Sequence, residues 1–470
     1  MSMTTGIVER LSALGSHRSR AWISIRSMLG NAAVWTNRVP GFFALCDQGV
    51  VSLTNFATGV IIGRVCGSAE LGVYALAWTL MTLATEFSAT LTTTPYTVFS
   101  PQLSRSQRGL YLGSTLVHQL LISAMFALAM AAGAILGSRR GWLSHSLSSV
   151  ITTTACVIVF IGLREFVRRV SFAELKVGLA LLVDGIACLA QAGGVLLLLS
   201  FGDLTASRVY TLLGISSALV ACGWLALHQG SFYFDARLCT QDIKRNWHFA
   251  KWVLGSSLLW TSAMYLYPWL LAAFHGTSVT GAWAACCTIV ALGNPVMVGL
   301  GNYVGPQIHN IHAASGIAAM KRSVYRFSLL FAALLLPVVI VLASWGGNIV
   351  TRIYGKAYGG NSGVVILLAL NLLISSLTYP YSRGLFSLER AKIDMFVNIL
   401  AIMLLFTVGI AAVKSYAALG AAATLLVSSS ATAVIRIGAF AREVRRRTPG
   451  DSRDTRTTAS NIGANSVQEM

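Results

Sequence analysis

The sequence predicts an all-α polytopic membrane protein of about twelve transmembrane helices in two six-helix bundles, and three observations carry that expectation. Only 11% of its 470 residues are charged and its mean hydropathy is +0.68, whereas soluble domains usually carry about 25% charged residues. Apolar runs of about 20 residues, each long enough at about 1.5 Å per residue to cross a hydrocarbon core of about 30 Å, recur from residue 41 to residue 438. Short motifs of the first half also return at matching places in the second.

Taken in chain order, residues 1–40 read as a cytoplasmic segment. They carry Arg10, Arg18, Arg20, Arg26 and Arg38 and no apolar stretch ending in a cleavage site, so no secretory signal is visible. The stretch Trp22 to Leu29 fits either an amphipathic helix in the headgroup plane or a frayed tail. Twelve spans follow, at 41–63, 71–94, 112–137, 146–164, 177–200, 208–227, 251–274, 278–303, 324–344, 363–383, 393–412 and 416–437. They group into an N-terminal six-helix lobe (41–227), a linker (228–250) and a C-terminal six-helix lobe (251–437). The Arg- and Ser/Thr-rich residues 438–470 read as a disordered cytoplasmic tail.

The net charge of +19 is explained by where the basic residues fall. With the N-terminus in the cytoplasm, roughly 28 of the 35 Lys and Arg lie on the cytoplasmic side. That is the positive-inside pattern of a multi-pass protein of the cytoplasmic (inner) membrane with both termini inside. It leaves no call for nucleic acid as a partner; membrane lipids are the expected surroundings. The eight cysteines lack the paired spacing of a zinc or redox site and read as small apolar fillers, so no metal centre is expected. No nucleotide-binding, nucleophile or zinc motif appears, which argues against an enzyme and against a cofactor.

The repeat is read from two pairs of segments. Gly67-Ser-Ala-Glu-Leu-Gly72-Val-Tyr74-Ala75 matches Gly276-Thr-Ser-Val-Thr-Gly281-Ala-Trp283-Ala284, and Pro101-Gln102-Leu103 matches Pro306-Gln307-Ile308. A six-plus-six duplication inserts both halves in one orientation, related by an axis along the membrane normal. The cleft left between two such bundles is the architecture of alternating access.

Polar residues inside the spans are the candidate functional residues, because an unpaired polar group in lipid costs several kcal/mol. Helical spacing gathers Asp47, Gln48, Ser52, Thr54, Asn55 and Thr58 on one face of the first span, and Thr79, Thr82, Glu86, Thr90, Thr93 and Thr97 along the second. Asp47, Glu86, His118 and Asp184 share one depth, about 9–11 Å from the cytoplasmic side. They are expected to pair, stay neutral or hold a cation, and form a candidate proton- or sodium-coupling site; snorkelling to the interface is the structural alternative. Gln48, Ser52, Asn55, Arg64, Asn294 and Asn371 are the candidate cavity-lining residues. Arg64 can either snorkel to headgroups or turn toward a pyrophosphate. Trp260, Tyr265, Tyr267 and Trp269 surround Pro268, where the ring is expected to bend or break the seventh span.

The segment Asp47-Gln48-Gly-Val-Val-Ser52-Leu-Thr-Asn55-Phe56, with Gly63-Arg64-Val-Cys-Gly67-x-x-Glu70-Leu-Gly72-Val-Tyr-Ala75, resembles the opening hairpin of the polysaccharide-flippase branch of the multidrug/oligosaccharidyl-lipid/polysaccharide exporter superfamily. Arg164-Glu165-Phe166-x-Arg168-Arg169 with Phe172-Ala173, and Tyr354-Gly355-x-x-Tyr358, support it. The resemblance implies a V-shaped bundle of the kind found in multidrug and toxin extrusion (MATE) transporters. It implies a transporter that flips a lipid-linked oligosaccharide or polysaccharide precursor, with glycosyltransferases or a polysaccharide polymerase of the same pathway as partners. A cation-coupled multidrug antiporter is the alternative within the superfamily, and a membrane glycan polymerase or ligase is the alternative outside it.

Overall fold

The computed structural model describes residues 40–228, 230, 232–390 and 392–447. The readings of Trp22–Leu29, of the N-terminal segment before residue 40 and of the tail after residue 447 lie outside these residues. All regular structure among the described residues is helical.

The first hairpin pairs α1 (Pro40–Val65) with α2 (Ser68–Leu91), and Gly67 turns it at a φ of 88° that only glycine adopts freely. A short α3 (Thr93–Phe99) and a 3₁₀ turn holding Pro101 lead to α4 (Arg105–Arg139). α4 opens on a capping box in which Ser104 and Gln107 satisfy each other's backbone N–H groups. α5 (His145–Ala173) is capped by Ser144, and α6 (Val177–Ser200) and α7 (Ala206–Leu227) complete the first half.

The linker is not an open loop from end to end. Asp235 accepts the N–H groups of Arg237 and Leu238, and from there α8 (Ala236–Val290) runs directly into the seventh span. Pro268 lies inside α8 without breaking it; the helical backbone is interrupted at Gly276, with φ 81° and ψ 175°. α9 (Asn294–Tyr354) is interrupted in the same way at Gly316. α10 (Ser362–Ser387) follows, then α11 (Lys392–Leu404), a π turn at Leu405–Gly409, and α12 (Ile410–Arg447) with an interruption at Ala417. The tail expected from residue 438 thus begins no earlier than residue 448.

Eight continuous helical stretches among the described residues are long and apolar enough to cross a membrane. Dividing them at Gly276, Gly316 and Ala417, and adding α2 with its threonine and glutamate face, gives the twelve expected spans. The chain is an all-α polytopic membrane protein.

The described residues fall into two compact units. The first comprises 40–58 and 77–254, the second Gly59–Leu76 and 255–447. In the first, α5 is central: Leu163, Phe166 and Val170 pack with Tyr96, Tyr111, Leu116 and Ala221, while Val167 joins Val183, Ala187, Val220 and Trp224. In the second, Val324, Phe331, Leu335 and Val350 on α9 and Val365 and Leu368 on α10 are buried.

The motif pair noticed in sequence has a structural counterpart within the second unit. Gly67 and Gly276, equivalent by the alignment of the motifs, both hold positive φ. Gly72 and Gly281, also equivalent, face each other: a Cβ on Gly72 would lie 1.8 Å from the Thr277 carbonyl oxygen, and one on Gly281 would lie 1.8 Å from that of Ser68. The second motif pair is less alike, since Pro101 sits in a 3₁₀ turn and Pro306 inside α9.

Candidate functional site

The first unit holds a charged network built on α5. Helical spacing puts Arg164 above Arg168 and Glu165 above Arg169, on the side of α5 away from the buried Phe166, Val167 and Val170. Arg168 is the junction. Its Nη2 donates to Asp47 Oδ2 on α1 at 3.0 Å, and its Nε lies 2.6 Å from Asp184 Oδ2 on α6. Glu165 lies 3.6 Å from Arg168 and accepts from Arg169 at 2.6 Å, and Arg169 donates to Glu86 on α2, also at 2.6 Å. Arg164 adds a longer contact to Asp184 at 3.8 Å.

The burial of this network is graded. Glu86 is 43% exposed and Arg169 31%, whereas Asp47 and Asp184 are both at 0%. Hydrogen bonding at the deep end is also incomplete. Asp47 Oδ1 and both carboxylate oxygens of Asp184 are buried without an aligned hydrogen bond. Across the network four carboxylates face three guanidinium groups.

A narrow recess of mixed polarity adjoins the network, lined by Thr85, Ala89, Thr93, Gln119, Gly162, Glu165, Phe166 and Arg169. Thr92 donates to Gln119, which donates to Ser123, each at 3.0 Å. A Cβ on Gly162 would come within 2.9 Å of the Gln119 amide nitrogen, so glycine there is what lets α4 and α5 close around the recess.

Comparison with solved structures identifies the scaffold. A multidrug resistance MATE family transporter of the MOP superfamily, in an inward-facing conformation, has a TM-score of 0.70 at 12% identity, covering 85% of this chain and 96% of that one. The lipid II flippase MurJ, in an inward closed conformation, has a TM-score of 0.65 at 15% identity, covering 86% and 89%. A MOP superfamily transporter from Pyrococcus furiosus, whose reversed pocket polarity suggests a different function, has a TM-score of 0.60 at 12% identity, covering 86% and 94%. This chain has the fold of MOP superfamily transporters. No family model and no curated protein matches its sequence.

On the MOP fold the coupling candidates are partly gathered and partly dispersed. Asp47 and Asp184 converge on Arg168, and Glu86 joins them through Arg169 and Glu165. His118 goes elsewhere: its Nε2 meets the Cys239 carbonyl at 3.0 Å, where the linker part of α8 docks on α4. Tyr111 donates to Asn246 at 2.7 Å in the same seam. Asp242 lies there too, and burial pushes its carboxyl up from the ordinary carboxylate value while Ser114, His118 and Arg245 draw it back.

Sequence reasoning missed the arginines as partners. Hydropathy ended the fourth span at residue 164, so Arg164, Arg168 and Arg169 counted as loop charges, although α5 continues to Ala173. The i, i+3 and i, i+4 spacing of Arg168 and Arg169 from Glu165, continuing the helical period of the fourth span, was the available signal.

The lining candidates divide as follows. Gln48 and Ser52 are exposed and bonded to each other at 3.2 Å, and Asn55 is half-buried. Arg64 is exposed and reaches the Ile353 carbonyl at 3.4 Å within the second unit. Asn294 is exposed at the start of α9, and Asn371 is half-buried with its Oδ1 unpartnered. Of the aromatics around Pro268, Trp260 is exposed, while Tyr267 is buried beside Trp283.

Proposed function

We propose that this chain is an ion-coupled flippase that moves a lipid-linked oligosaccharide or polysaccharide precursor across the cytoplasmic membrane by alternating access, with both termini in the cytoplasm. The observation that carries the reading is the pairing of the membrane carboxylates. Asp47, Glu86, Glu165, Asp184 and Asp394 each contact an arginine, so a bulky organic cation would have to displace a guanidinium to reach any of them, whereas a proton or small ion would not. The likeness to the lipid II flippase and the opening-hairpin resemblance support the same class.

The driving ion is a proton or sodium taken up by the Arg168 network, with Glu86 at its exposed end and Asp47 and Asp184 at its deep end. Loss of the gene is expected to leave the lipid-linked intermediate on the inner leaflet and to abolish a surface glycan. Normal surface glycan in that strain refutes the substrate class, and full transport by an Asp47→Asn/Glu86→Gln double variant refutes the coupling role. Glycosyltransferases and a polymerase acting on the same glycan are the expected partners.

The second reading is a cation-coupled multidrug antiporter, favoured by the likeness to the multidrug resistance transporter. In that case gene loss sensitises cells to cationic dyes and leaves surface glycan intact.

A further inference from the structure

The arginines of α5 are neutralised by acids, and Arg436 is paired with Asp394 at 2.8 Å. Arg383 is different. It lies on α10 one turn before Ser387, at the end that the charge pattern assigns to the cytoplasm. Among the described residues no carboxylate lies within ion-pairing distance of it and its buried Nε has no hydrogen-bond partner. A guanidinium N–H left unmet in a low-dielectric site is costly, and an oxyanion is the group that relieves it.

What does surround Arg383 is aromatic. Its guanidinium carbon lies 4.8 Å from the Tyr379 ring and 5.1 Å from the Phe386 ring. Those residues precede and follow it by about one turn, so the side chain lies along α10 between two rings. Tyr379 is itself anchored: its hydroxyl donates to the Gly301 carbonyl at 3.2 Å, and Phe331 lies 5.9 Å from its ring. α9 presents glycines to this group. A Cβ on Gly301 would approach the Tyr379 hydroxyl to 3.1 Å, and one on Gly305 would touch Arg383 Cδ at 3.6 Å.

A guanidinium whose carbon sits over aromatic rings still presents an in-plane edge of N–H donors. That edge matches two oxygens of a phosphate, which is why arginine reads phosphate with two parallel hydrogen bonds. We propose that Arg383, seated between Tyr379 and Phe386, is a phosphate-binding residue of the second unit that takes the phosphate or pyrophosphate of the transported carrier lipid. This rests on the flippase reading. An ordinary phospholipid headgroup presents the same chemistry, and the test separates the two sources.

The full-length protein is reconstituted in phosphatidylcholine nanodiscs and titrated with undecaprenyl pyrophosphate, with phosphatidylglycerol as the competing headgroup. Arg383→Gln is expected to weaken pyrophosphate binding by about tenfold or more, at an unchanged melting temperature. Arg383→Lys, which keeps the charge without the planar fork, is expected to fall between, and it carries the test if the glutamine variant does not fold. Excess phosphatidylglycerol is expected to leave pyrophosphate binding intact. Equal affinity in wild type and both variants overturns the subsite and leaves the flippase reading standing. Competition by phosphatidylglycerol at equal affinity makes Arg383 a headgroup anchor and overturns its assignment to the cargo. A wild-type protein that binds no pyrophosphate lipid removes the flippase reading and the subsite with it.

Discussion

Gly72→Ala tests the tightest backbone contact in the second unit. The added Cβ would lie 1.8 Å from the Thr277 carbonyl oxygen and 3.0 Å from the Gly281 nitrogen. A carbon in ordinary contact with that oxygen needs about 3.3 Å, so the two backbones must part by roughly 1.5 Å at a point where neither has a side chain to rotate away. Forced separation of a packed contact costs about 1–3 kcal/mol, and the Ser68 to Ser278 hydroxyl contact of 2.6 Å is lost with it. Gly281→Ala meets the Ser68 carbonyl at the same 1.8 Å and is expected to cost as much. The double variant is expected to cost clearly less than the sum, because the second Cβ enters a gap the first has opened. Unfolding in mixed micelles measures the three stabilities. Oxidative cross-linking of a Ser68→Cys/Ser278→Cys pair reports the separation, since a disulfide needs its Cβ atoms about 3.5–4.5 Å apart. Efficient cross-linking in the Gly72→Ala background, or strict additivity of the two alanines, refutes the argument.

The charged network yields a second expectation: Arg168→Gln leaves Asp47 and Asp184 buried without their shared partner and is expected to destabilise the protein by about 3–5 kcal/mol. Neutralising all three in an Asp47→Asn/Arg168→Gln/Asp184→Asn variant is expected to recover much of that, read as melting temperature and folded yield; an undiminished Arg168→Gln protein contradicts it. The docked linker yields a third. A carboxyl whose folded value is raised binds its proton more tightly in the folded state, so the contribution of Asp242 is greatest at low pH and is lost as pH rises from the ordinary carboxylate value through the raised one. Asp242→Asn is expected to flatten that part of the stability profile and to cost nothing at neutral pH; an unchanged profile rules this out.

What could be read in the sequence was what hydrophobicity and backbone sterics control. Apolar length located the spans, and the Gly67 and Gly276 motifs located two turns that the structure shows at φ 88° and 81°. Depth arithmetic put Asp47, Asp184 and Glu86 in one layer, and the structure links them through α5. Rotation and partners were not available from depth. The same arithmetic gives His118 that depth, yet it faces Cys239, because which face of α4 meets the linker depends on how helices distant in sequence pack. Pro268 is expected from sequence to bend or break its span; α8 remains helical through it, and the non-helical backbone falls at Gly276. A proline removes one hydrogen bond, which neighbouring groups in a packed span can replace.

The two halves of the sequence differ in a way that follows from which constraints permit substitution. Gly72 and Gly281 meet backbone to backbone, and nothing larger fits on either side without parting the chain. Charged side chains obey a weaker rule, since lipid demands only that each acid find a cation. The first unit meets that demand with acids on α1, α2 and α6 converging on one face of α5. The second meets it near the end of its helices, where Asp394 holds Arg436 and accepts from Ser382 at 2.6 Å, and where Glu443 holds Arg390 and Arg447. Steric identity at the glycines therefore coexists with electrostatic divergence between the two halves of the sequence. The unevenness shows at Asp47 and Asp184, where three buried carboxylate oxygens lack an aligned hydrogen bond although both acids contact Arg168.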